Sequence, residues 1–120
     1  MIRVFTIDNT EQGLYFNAVA NHVDKRNIDT DSSLDRAAAR LGRKTYDLII
    51  MSRGTGRLDL YDIADVIKQS RLNKSADIII LEDNPTVATR LQGMLKGRRV
   101  YRFKSNQIAE LDYMLERMAA

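Results

Sequence analysis

The sequence predicts an α/β domain: a doubly wound, five-stranded parallel sheet with helices on both faces. Three observations predict it. Short β-branched and aromatic runs alternate along the whole chain with segments whose apolar residues recur at helical spacing. Within the run Tyr46–Met51, Leu48-Ile49-Ile50-Met51 is apolar without interruption, the mark of a strand buried on both faces. The loops between elements are short, and parallel neighbours need a crossover of about one helix between them. The 120 residues suit one core, so residues 1–120 are expected to form a single domain, the N-terminal part of a longer regulator being one setting for it.

The elements follow in order. Ile2–Ile7 reads as the first strand, and Asp8-Asn9-Thr10 offers the side chains that cap a helix start. Leu14, Tyr15, Val19 and Val23 trace one face of a helix over about 11–22, closed by Asp24-Lys25-Arg26-Asn27. A weak strand is expected around Asn27–Thr30. Asp31-Ser32-Ser33 then caps a short, Ala-rich second helix through Leu34, Ala37, Ala38 and Leu41, with Gly42 where a C-cap favours a residue without a Cβ. Tyr46–Met51 is the third and central strand. Leu60, Ile63, Ala64 and Ile67 face one way along a third helix ending near Ser70, and Asp77–Leu81 is the fourth strand. Pro85 stands at the first position of a fourth helix through Val87, Leu91 and Leu95 that closes at Gly97. Val100–Phe103 is the fifth strand, and Ile108, Leu111, Leu115 and Met118 mark the last helix. These helix stripes are core positions without chemistry.

Composition narrows the function classes. The chain has no Cys and a single His22, which excludes a disulfide framework, thiolate zinc ligation, cysteine nucleophiles and a multi-His metal site; His22 is expected on a helix surface. No apolar run approaches the ~20 residues that span a bilayer, and the N-terminus lacks a signal-peptide core, so the expected setting is cytoplasmic with no membrane partner. Nineteen Lys and Arg against sixteen Asp and Glu give a net charge of +3. Six of those bases, Arg90, Lys96, Arg98, Arg99, Arg102 and Lys104, fall in one stretch without an acid, a patch able to attract an acidic protein surface or a phosphate backbone.

Ligand chemistry on a sheet of this kind belongs at the carboxyl ends of the strands, which here carry Asp8 and Asn9, Ser52 and Arg53, Glu82 and Asp83, and Lys104 and Ser105. Taken together, these ends resemble the active-site frame of the receiver domains of two-component response regulators, and the resemblance covers the whole chain. It implies a flavodoxin-like (βα)5 fold. In that family the first strand ends in two metal-holding acids, where this chain has Asp8 and Asn9. The third strand ends in the phosphoacceptor Asp, where this chain has Ser52. The fourth ends in Thr or Ser, where Glu82 follows Leu81. The fifth carries a switch aromatic before an invariant Lys that precedes Pro; here Tyr101 and Lys104 stand in place, and Ser105 replaces the Pro.

The fold markers match and most of the chemistry markers do not. An acyl phosphate needs a carboxylate nucleophile and a divalent cation to neutralise the developing charge. Ser52 is no carboxylate, and Asn9 and Ser52 remove two of the usual three acids, so neither a catalytic residue, a metal nor a cofactor is expected. The expectation is a pseudo-receiver: a phosphorylation-independent, non-enzymatic signalling domain in transcriptional regulation or two-component-type signalling. Lys104, without a phosphoryl partner, is expected to pair with Asp8 or Glu82. By resemblance, the contact face is built by the fourth helix, fifth strand and fifth helix. Lys96, Arg98, Arg99 and Arg102 would select a partner with an acidic surface, and Tyr113 and Met114 would supply apolar area, including for a homodimer in which Asp112 and Glu116 meet those bases across a two-fold axis. Two alternatives rest on the basic residues. A nucleic-acid-binding accessory protein would use the basic patch, though no helix-turn-helix or zinc ligand accompanies it. An anion- or nucleotide-responsive sensor would hold phosphate in Arg53-Gly54-Thr55-Gly56-Arg57, a segment without P-loop spacing that reads more simply as a turn.

Overall fold

The computed structural model describes residues 2–7, 14–52 and 58–119, with the side chains of 14–16 excepted. The elements run β1 (Val4–Ile7), α1 (Leu14–Ala20), β2 (Ile28–Asp31), α2 (Leu34–Leu41), β3 (Leu48–Ser52), α3 (Leu60–Gln69), β4 (Asp77–Leu81), α4 (Pro85–Met94), β5 (Val100–Phe103) and α5 (Ile108–Ala119), with 3-10 turns at Lys25–Asn27 and Ser105–Gln107. All strand pairs are parallel, in the order β2-β1-β3-β4-β5. The chain therefore moves one way from β1 to β2 and the other way from β2 onward. Parallel crossovers are right-handed, so this reversal sends α1 to one face and α2, α3 and α4 to the other. After β5 the chain returns as α5 to the face of α1.

Burial follows that division. Phe5, Ile7, Ile49, Met51, Ile78 and Ile80 pack with Ala37 and Leu41 of α2, Ile63, Ala64 and Ile67 of α3, and Leu91 of α4. Val4, Leu48, Ile50 and Ile79 pack with Ala18 and Val19 of α1 and Leu111 and Leu115 of α5. Every residue of β3 is buried, as the uninterrupted apolar run requires of the central strand. Each such aliphatic side chain contributes roughly 1.5–3 kcal/mol relative to leaving it in water.

The amino end of the sheet is closed by one side chain. Asn73, 1% exposed, follows α3. Its Oδ1 accepts the Tyr46 backbone N–H at 2.7 Å, and its Nδ2 donates to the carbonyls of Leu41 and Lys44, each at 2.9 Å, and towards Ser70 Oγ at 3.1 Å. Ser70 donates its hydroxyl to the same Leu41 carbonyl at 2.8 Å. The end of α2, the end of α3 and the entry to β3 are thereby tied together. At the β2 edge the two acids are neutralised internally: Asp29 takes Lys44 Nζ at 2.7 Å and the Tyr46 hydroxyl at 2.6 Å, and Asp31 takes Arg40 Nε at 2.6 Å.

Several boundaries differ from expectation. The first helix begins within the description at Leu14, and the earlier part of the expected 11–22 span lies outside the described residues. Asp31 belongs to β2, where its backbone pairs in register with Ile7 of β1 and its side chain meets Arg40, and Ser33 is the residue that caps α2. β3 starts at Leu48 and continues through Ser52. Gly42 does not need its missing Cβ: its φ is −80°, ordinary right-handed backbone. Among the described residues the glycine that does is Gly97, whose φ of +94° reverses the chain after α4 has ended at Met94.

Candidate functional site

The carboxyl ends of β3, β4 and β5 converge at one rim, as register dictates: Ser52 pairs with Leu81, and Leu81 with Phe103. Asp8, Asn9 and the expected anion loop Arg53, Gly54, Thr55, Gly56 and Arg57 lie outside the described residues. Ser52 is 6% exposed at the end of β3, in the position the resemblance gives to the phosphoacceptor. Glu82 extends the β4–β5 ladder by one residue through its N–H to the Phe103 carbonyl at 3.1 Å, and its half-buried carboxylate accepts the Asn84 N–H at 3.3 Å. Asn84 in turn caps α4, accepting from Thr86 and Val87 N–H, with Pro85 behind it in the first turn.

The acid that reaches the β5 end is Asp83. Its Oδ1 accepts the Ser105 N–H at 2.6 Å and its Oδ2 the Ser105 hydroxyl at 2.9 Å. The Ser105 N–H, then the Ser105 hydroxyl, with a smaller contribution from the Lys104 charge, hold the Asp83 carboxyl below its ordinary range. Lys104 is exposed, and its backbone N–H is taken by the Gln107 side chain at 2.8 Å in the turn that opens α5. Among the described residues Lys104 forms no ion pair, with Glu82 or any other acid. The link between the β4 and β5 ends is the Asp83–Ser105 clasp, and it occupies the residue that stands where receivers have Pro. Among the described residues no group of three or more acids and His is placed to hold a metal ion.

The expected contact face is assembled by α4, β5 and α5, but its bases are not equivalent. Arg98 is turned inward: its guanidinium donates to the carbonyls of Asn73 at 2.8 Å, Ser70 at 3.2 Å and Lys68 at 3.3 Å, closing the open end of α3. Burial lowers its pKa from the usual arginine value. Arg99 Nε lies 2.9 Å from Asp77 Oδ1, yet that buried oxygen has no hydrogen-bond partner, so the contact is one of charge alone. Arg102 lies over α4 with long contacts of 3.3 Å to the Pro85 carbonyl and 3.4 Å to Gln92. Lys96 is exposed.

On the other side of β5, Tyr101 is 37% and Tyr113 62% exposed. They line a groove with Asp77, Met114, Arg117 and Met118, and the Arg117 guanidinium stands 5.8 Å from the centre of the Tyr113 ring. Of the two acids expected to meet these bases in a dimer, Asp112 is held by His22 Nε2 at 2.7 Å and Glu116 is exposed. His22 is therefore a link between the end of α1 and α5 rather than a bare surface residue. Sequence reading missed it because 90 positions separate the pair.

No known protein family's sequence profile matches the chain, and no curated protein does. Its structure is similar to that of a de novo designed Rossmann 2x3 fold protein solved by solution NMR, with a TM-score of 0.64 and 17% sequence identity over 100% of this chain and 94% of that one. That likeness, with the all-parallel order β2-β1-β3-β4-β5, establishes a flavodoxin-like α/β fold. No helix among the described residues is long and apolar enough to cross a membrane.

Proposed function

We propose that this chain is a receiver-like regulatory module that acts by protein contact, in transcriptional regulation or two-component-type signalling, without phosphorylation by an aspartyl mechanism and without enzymatic activity of its own. The observation that carries the reading is Ser52. The central strand of a sheet with this order ends on a buried hydroxyl at the place where phosphoryl transfer would need a carboxylate. The Asp83–Ser105 clasp supports it further, because it joins the β4 and β5 ends by a contact that needs no phosphoryl group. The partner is a protein with an acidic surface, met by α4, β5 and α5. Of the four bases expected on that face, Arg98 and Arg99 are already engaged by carbonyls and by Asp77, which leaves Lys96 and Arg102 to meet the acidic partner; two bases are few for a phosphate backbone, so a nucleic acid is the weaker reading.

Incubation of the protein with acetyl phosphate and Mg²⁺, read by intact mass and by amide spectra with beryllofluoride, tests the proposal. Unchanged mass and spectra are expected. A hydroxylamine-sensitive phosphoryl adduct would overturn it.

A further inference from the structure

The contact face contains an open strand edge, and its chemistry differs on its two sides. Among the described residues β5 pairs only with β4. The Arg99 and Phe103 carbonyls point to β4, where they accept the N–H groups of Ile78 and Glu82. By the alternation of a strand, Tyr101 also turns its backbone to β4, and Val100 and Arg102 turn theirs outward. No hydrogen bond among the described residues uses those outward groups. An edge of this kind is a template for another strand.

Side chains alternate likewise. On the α5 side stand Tyr101 and the groove of Tyr113, Met114, Arg117 and Met118. On the α4 side stands exposed Arg102, whose contacts to Gln92 and Pro85 are long enough to exchange readily. Resting on the reading of the chain as a protein-contact module, we infer that β5 accepts an extended segment of a partner protein as a sixth strand, and that this segment alternates apolar with acidic residues. The apolar side chains enter the Tyr101–Tyr113–Met118 groove, and the acidic ones meet Arg102. Backbone pairing supplies affinity and the alternation supplies specificity. A second copy of β5 is the poorer occupant, because two-fold pairing sets Arg102 near Arg102, and like charges facing each other on paired strands repel.

The test uses the full chain and a fluorescein-labelled octapeptide alternating Glu and Val. Binding is expected, with the outward amides of Val100 and Arg102 newly protected from hydrogen exchange while Tyr101 and Phe103 stay as protected as before. An isomer with its Glu and Val in separate blocks, and a Lys–Val alternating peptide, should each bind at least about tenfold more weakly, as should the alternating peptide to Arg102→Glu. Arg102→Gln keeps the edge N–H and should fall between wild type and Arg102→Glu, which separates charge from fold. Absence of binding, equal binding of the blocked isomer, protection elsewhere, or protection of these amides by protein concentration alone would each overturn the inference. None of these results involves phosphorylation, so the pseudo-receiver reading stands or falls separately on its own assay.

Discussion

Replacing Asn73 by Ala should remove a large share of the stability of this domain. The side chain is 1% exposed and satisfies backbone groups from two other segments. In Asn73→Ala the Tyr46 N–H and the Lys44 carbonyl lose the partner they have in the fold, whereas the Leu41 carbonyl keeps the Ser70 hydroxyl at 2.8 Å. Two groups are thus left unsatisfied, at about 1–3 kcal/mol each, so the expected loss is about 2–6 kcal/mol, less where a water enters the space. Small domains have only about 5–15 kcal/mol in total. Urea unfolding followed by far-UV circular dichroism measures the difference, with an unchanged m-value showing that the two-state transition is preserved. Asn73→Asp is the sharper companion. It keeps the shape and the acceptor for Tyr46 but aims a carboxylate oxygen at two carbonyls, so it should be more damaging near neutral pH than in acid, where the carboxyl is protonated and donates again. A loss below about 1 kcal/mol for Asn73→Ala, or no pH dependence in the Asp variant, would refute the view that this side chain closes the amino end of the sheet.

Two further outcomes follow from local geometry and from charge. Gly97→Ala should destabilise by about 1 kcal/mol because an Ala there must adopt a φ of +94°, whereas Gly42→Ala, at −80°, should be neutral or stabilising by about 0.5 kcal/mol; thermal melts of the two variants compare them directly. Burial by itself would raise the Asp29 carboxyl, but the hydrogen bonds from Lys44 and Tyr46 and the Lys44 and Arg40 charges outweigh it, and the net effect is a lowered pKa. A carboxylate with a depressed folded pKa stabilises fully above its unfolded value of 3.8 and loses that contribution as pH falls through the folded one. The advantage of wild type over Lys44→Met in denaturant titrations should therefore be full at neutral pH and shrink in acid; an advantage that persists unchanged below the folded pKa would show that Lys44 acts by packing alone.

The sequence by itself determined what depends on neighbours within a few positions. The uninterrupted apolar run of β3 announced a central parallel strand, because only a strand covered on both faces can hide both alternating sets of side chains. Asn84-Pro85 marked the start of α4, since a cap and a fixed φ act within one turn. At the candidate site, sequence placed Ser52, Glu82 and Lys104 at three adjoining strand ends, and those positions are where the strands put them. Tertiary structure decided the partners. Whether Lys104 or Ser105 meets an acid depends on how a turn between β5 and α5 lies against the loop after β4, and Asp83 reached Ser105. Arg98 reads in sequence as one more base of an exposed patch, yet the open carbonyls at the end of α3 are its partners. Asn73 falls in the stretch between the third helix and the fourth strand, and sequence assigns His22 to a helix surface and Asp112 to a dimer contact. In each case the deciding interaction joins segments that only the folded sheet brings together. Hydrophobic periodicity specifies which side of an element is buried, but it carries no information about which distant polar group waits on that side.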